Sequence, residues 1–164
     1  MIEKKCLFFD FDGVLLDSYN PKKNINFFNY HVGNKLPLVS GMEKVVSELA
    51  DKYLLYIISS SSVSTIRSFL ALHHLQNYFT KILGSENSFG KADKMKEIIV
   101  ENRLVPDQCL FVTDTADDIK EAHLVGVPVL AVTWGYGRID EISKAGPEAI
   151  INKPSEIVSW LNKI

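Results

Sequence analysis

The chain has 164 residues, 46% of them hydrophobic and 23% charged, with a formal net charge of −2. That length suffices for one domain and one sizeable core, though not comfortably for two. The charge shows no basic surplus of the kind that binds nucleic acid or an anionic membrane. The paired Lys22 and Lys23 read as a solvated loop, and Cys6 and Cys109, each inside an apolar run, read as buried free thiols. Lys4 and Lys5 precede an apolar stretch, but Asp10 and Asp12 interrupt it, so no signal peptide is expected. No uncharged run approaches the length of a membrane span. The expected compartment is the cytoplasm.

Short β-rich runs alternate with longer helical patterns, which predicts an α/β fold: a central parallel sheet with helices on both faces. The first strand, residues 5–11, is nearly all apolar, as a strand buried on both faces should be. Residues 18–36 are polar, rich in Asn and Lys, with a short helix expected around 26–30. Met42, Val45, Val46 and Leu49 recur at helical spacing within 41–52. A strand follows at 54–59, then a helix at 62–72 opened by a serine cap. A weaker strand is expected at 81–85, a helix at 92–102, a strand at 110–113 and a helix at 117–125 ending at Gly126. Strands at 129–133 and 149–151, the second at an edge, and helices at 139–144 and 155–161 complete the pattern.

Ligands of such sheets bind beyond the carboxyl ends of the strands. The residues at those ends are Asp10 and Asp12, Ser59 and Ser60, and Asp114 with Asp118. Two carboxylates one residue apart at the end of an apolar strand repel each other and are costly to bury, and a hard divalent cation relieves both problems. Gly13 supplies a sharp turn and a close backbone approach. A small hydroxyl at Ser59, with backbone N–H groups leading into a helix, makes an anion cradle, although a serine run also serves as an ordinary helix cap. Lys91 stands just ahead of the helix at 92–102 and Lys94 inside its pattern; a single lysine is by itself normally a surface residue. Asp117 complements the helix dipole. Trp134 and Tyr136 either line a pocket mouth or pack under a loop, and the pair His73–His74 is read as structural or exposed.

The run Asp10-Phe11-Asp12-Gly13-Val14-Leu15-Leu16-Asp17-Ser18 resembles the first motif of the haloacid dehalogenase-like hydrolases, closest to the phosphoglycolate phosphatase-like branch. Ile57-Ile58-Ser59, Lys91 and Val112-Thr113-Asp114 with Asp118 are similar to the later motifs, in the family's order, and Thr113 stands where the family usually has Gly. Residues 122–128 and 132–137 also look like that branch. The resemblance implies a three-layer Rossmann-like fold and a magnesium-dependent phosphatase. Asp10 would be the nucleophile that becomes an aspartyl phosphate, and Asp12 the acid/base. Lys91, Ser59, Ser60 and Gly13 would serve the phosphoryl group. Asp10, Asp114 and the backbone carbonyl of Asp12 would hold Mg2+, with Asp118 in support.

The whole chain, 1–164, is expected to be one core domain with a short cap-position insert at about 18–36, too short for a separate cap. The site should therefore be open to a large phosphorylated substrate, or be covered by a second copy in a homo-oligomer. Phosphoglycolate fits such an open site poorly, because a small substrate needs enclosure. A phosphotransferase or phosphomutase would use the same residues. A receiver-like module would carry its phospho-accepting Asp on a later strand, where this chain has serines. A catalytically silent phospho-binding domain would have no need of the intact set Asp10, Asp12, Ser59, Lys91 and Asp114.

Overall fold

A computed structural model describes residues 4–19, 37–87 and 90–164. The helix expected at 26–30, the Lys22–Lys23 pair and Phe89 lie outside the described residues. The elements follow the expected alternation. β1 (Cys6–Phe9) leads to α1 (Met42–Ala50), β2 (Leu54–Ile58), α2 (Val63–Leu72) and β3 (Lys81–Leu83). Then come α3 (Lys91–Glu101), a 3-10 turn (Pro106–Gln108), β4 (Cys109–Thr113), α4 (Ala116–Leu124) and β5 (Val129–Val132). α5 (Ile139–Ala145), β6 (Ala149–Ile151) and α6 (Ser155–Leu161) close the chain.

The six strands form one parallel sheet in the order β3-β2-β1-β4-β5-β6. β1 is central, and all four of its residues are buried. Strand side chains alternate between faces, so each strand feeds two cores. Leu7, Phe9, Leu55, Ile57, Leu110 and Val112 pack with Met42 and Val46 of α1, Phe69 of α2 and Ile157 of α6. Cys6, Phe8, Tyr56, Phe111 and Val129 pack on the other face with Met95 and Ile98 of α3, Ile119 of α4 and Ile142 of α5. This is the expected three-layer architecture. Each fully buried Leu, Ile or Phe contributes about 1.5–3 kcal/mol relative to exposure. Cys6 and Cys109 are buried free thiols directly opposite each other on β1 and β4.

The chain runs from β1 outward through β2 to β3, then crosses to β4 on the other side of β1 and runs outward again. The connections leaving the carboxyl ends of the neighbouring strands β1 and β4 therefore run in opposite directions at the topological switch point, where this architecture opens a crevice. β1 stops at Phe9, two residues short of the predicted end, because the chain turns there. Leu15 and Leu16 both donate their N–H groups to Phe11 O, and Gly13 N–H donates to Leu16 O. Phe11, Val14, Leu15 and Leu16 of this turn are all buried.

Residues 15–17 and 37–39 are tied together beyond β1. Leu16 bridges Leu38, Asp17 N–H donates to Pro37 O, and Val39 N–H donates to Leu15 O.

Candidate active site

Asp10 is the first residue after β1. Its backbone N–H donates to Val112 O on β4 at 2.9 Å, which fixes it at the crevice. Its Oδ1 accepts from Phe11 N–H at 2.7 Å, and its Oδ2 meets Lys91 Nζ at 2.7 Å. Lys91 is the first residue of α3 rather than ahead of it, and is itself buried. It also reaches Asp118 Oδ2 at 2.6 Å, and Thr113 donates its hydroxyl to that same oxygen at 2.6 Å. A continuous chain of contacts therefore runs Thr113–Asp118–Lys91–Asp10. Asp118, at the start of α4, anchors the lysine, whereas the exposed Asp117 pairs with Lys120 as an ordinary first-turn acid.

Asp114 follows β4. Its Oδ2 accepts from Tyr136 N–H at 2.6 Å, while its Oδ1 is buried without a hydrogen-bond partner. Glycines make room for this carboxylate. A methyl group at Gly13 (φ 78°) or at Gly135 would collide with Asp114 Oδ2. Gly135 was not singled out in the sequence. Its only signal there was its place in the Trp134-Gly135-Tyr136-Gly137 run after an apolar strand.

Ser59 is buried at the end of β2. Its Oγ accepts from Ser61 N–H at 3.0 Å, and its carbonyl accepts from Lys94 Nζ at 2.7 Å. Lys94 is thus a second buried cation, but it braces the β2 end while Lys91 touches Asp10. Ser60 is exposed. The hydroxyl that reaches the acid pair is that of Ser61, which donates to Asp12 Oδ2 at 2.5 Å. A run of four serines, Ser59 to Ser62, offers no sequence signal for choosing between them. Ser62 caps α2 by accepting from Thr65 N–H at 3.2 Å.

Burial raises the Asp10 pKa well above the carboxylate range; Lys91 opposes this, and Asp118 and Asp114 add to it. Burial also raises Asp114, to about 6, against the Tyr136 N–H bond. Burial would raise Asp118 too, but Lys91 and the hydrogen bonds it accepts outweigh that and lower it. Burial would lower Lys91, yet Asp10 and Asp118 raise it. Such opposed shifts in one cleft are characteristic of reactive sites.

Carboxylate oxygens of Asp10, Asp114 and Asp118, all buried, lie within 4.8 Å of one another. The unpartnered Asp114 Oδ1 and an all-oxygen donor set fit a hard divalent cation such as Mg2+. With Asp118 Oδ2 already engaged by Lys91 and Thr113, Asp10 and Asp114 are the better-placed ligands.

A sequence model of a haloacid dehalogenase-like hydrolase family matches residues 19–132, a span that includes Ser59, Lys91, Asp114 and Asp118. The chain is 25% identical over 130 residues to the phosphoglycolate phosphatase of Synechococcus elongatus, covering 79% of this chain and 61% of that protein. It is 24% identical over 157 residues to the phosphoglycolate phosphatase of Haemophilus influenzae, covering 91% of this chain and 70% of that one. The chain thus spans under two thirds of the first relative's length. A crystal structure described as a predicted phosphoglycolate phosphatase from Haemophilus somnus superposes with a TM-score of 0.84 at 18% identity, covering 98% of this chain and 99% of that one. That likeness is one of fold.

Proposed function

Because the chain belongs to the haloacid dehalogenase-like hydrolases, we propose that it is a magnesium-dependent phosphatase whose nucleophile is Asp10. The observation that carries this reading is the setting of Asp10: a buried carboxylate at the end of the central strand, paired to a buried lysine at 2.7 Å and clustered with Asp114.

In the first step an Asp10 carboxylate oxygen attacks phosphorus in line. The P–O ester bond breaks, and the leaving oxygen takes a proton from Asp12. In the second step Asp12 takes a proton from water as that water attacks the aspartyl phosphate, releasing inorganic phosphate and restoring Asp10. Lys91, held by Asp118, offsets the charge of the transferring group, and Ser59 with the turn at Gly13 and the exposed Ser60 borders it. Ser61 orients Asp12 through its 2.5 Å bond. Asp10, Asp114 and the backbone carbonyl of Asp12 would hold Mg2+, which keeps the nucleophile ionised and neutralises phosphoryl charge.

The receiver-like alternative is disfavoured by the strand order, since such modules order their strands 2-1-3-4-5. A phosphotransferase differs from a phosphatase only in the acceptor, and release of inorganic phosphate separates them. The reading takes 1–164 as one core domain with the 18–36 insert at the cap position. No helix among the described residues is long and apolar enough to cross a membrane, and a cytoplasmic location goes with the proposal. So does a second copy covering the open site, which gel filtration would show.

The deciding experiment is hydrolysis of 4-nitrophenyl phosphate with and without magnesium. Asp10→Asn and a chelator should each reduce turnover by at least about a thousandfold. Activity surviving Asp10→Asn would remove the nucleophile assignment.

A further inference from the structure

We propose that Tyr19 and Tyr136 form the leaving-group subsite, selecting phosphate esters of aromatic or apolar-faced alcohols. This rests on the phosphatase reading above.

The two rings come from separate parts of the chain and meet at the site. Their centroids lie 5.3 Å apart with planes inclined at 62°, a favourable aromatic pairing. Tyr136 is 42% exposed and Tyr19 43%, so the pair offers open ring surface to solvent.

Tyr136 is locked against the reaction centre. Its backbone N–H holds Asp114, Gly135 before it packs on the same carboxylate, and its ring edge lies over Gly13, next to Asp12. Tyr19 sits on the outgoing arm of the insert, three residues beyond the Leu16–Leu38 bridge. Trp134, the other aromatic of the run, is different: it packs on the core and donates its indole N–H to Val14 O at 3.3 Å. Among the described residues, the exposed ring surface beside the acid pair therefore belongs to the tyrosines.

An alcohol leaving from phosphorus departs opposite the attacking Asp10 and must contact the rim of the crevice. Aromatic rings bind flat, apolar faces, and a tyrosine hydroxyl tolerates water.

The test compares phenyl phosphate, ethyl phosphate and phosphoglycolate across wild type, Tyr136→Ala, Tyr136→Phe and Tyr19→Ala. Wild type should show its lowest KM for phenyl phosphate. Tyr136→Ala should raise that KM about five- to tenfold and lose most of the preference over ethyl phosphate. Tyr136→Phe should keep the preference, and Tyr19→Ala should lose part of it. Equal losses on phenyl and ethyl esters, or a lower wild-type KM for phosphoglycolate, would overturn the subsite. Phenylphosphonate and ethylphosphonate cannot be hydrolysed, so calorimetry yields the same ratio without turnover. A chain that hydrolyses no ester sinks the phosphatase reading, while the subsite stands or falls on that phosphonate ratio.

Discussion

Thr113 occupies a place where the resemblance implied glycine, and its side chain has a task there. β4 runs through Thr113 in regular strand form. The hydroxyl is fully buried and donates to the Asp118 oxygen that also receives Lys91. A buried carboxylate with two charge-assisted or short donors is held in one orientation. Through Asp118, Thr113 positions the cation on the proposed nucleophile. Thr113→Val keeps the shape and removes the donor. It should cost about 1–2 kcal/mol of stability and reduce kcat severalfold with little change in KM, while Thr113→Ser restores both. Thermal melts and steady-state kinetics on 4-nitrophenyl phosphate check this. A Val variant with wild-type kcat would leave Thr113 as packing only.

At the scale of elements, the strands were legible because they are buried on both faces and so almost purely apolar. β6 and α6 match the expected ranges residue for residue, 149–151 and 155–161. Asp10 and Asp114 stood out as positions because a carboxylate directly after such a strand is costly to bury unless it is paired or meets a cation. The loops were harder to read. That Ser61 rather than Ser60 reaches Asp12, and that Gly135 lies against Asp114, depend on contacts between segments far apart in sequence. The first turn of α3 aims Lys91 at Asp10 and Lys94 at Ser59 O, a difference that depends on the fold around the helix.

The loop after β5 makes the sharper prediction. It wraps Asp114, so Gly135→Ala must displace either the carboxylate or its own backbone. The expected cost is about 1–3 kcal/mol, together with loss of most of the magnesium-induced rise in Tm. A Gly135→Ala protein with an unchanged magnesium response would show that the loop does not shape the metal site.

For the whole molecule, the buried acid cluster takes up protons on folding, and the proposed magnesium would compete with those protons for the same carboxylates. Asp114 has a folded pKa of about 6, against about 3.9 in an unfolded chain. Between those values the folded state binds more protons than the unfolded state. Stability of the metal-free protein must therefore fall as pH rises through that window. Asp10 is shifted in the same direction by burial and adds to the slope. Asp118 is lowered, so its contribution is lost only at more acidic pH, and Lys91 is raised, so its contribution is lost only in strong alkali. Neither cancels the effect near pH 5. By linkage the Asp114 share is on the order of 3 kcal/mol between about pH 4 and pH 7. A divalent cation binds the ionised carboxylates and adds RT ln(1 + [L]/Kd) to stability. That gain should grow from about pH 5 to pH 7 as the competing protons leave. Thermal melts across this range, with chelator and with magnesium, should give curves that diverge with pH, and Asp114→Asn should flatten the chelator curve and shrink the divergence. A magnesium shift in Tm that is the same at both ends of the range would mean that the ion binds away from Asp10 and Asp114.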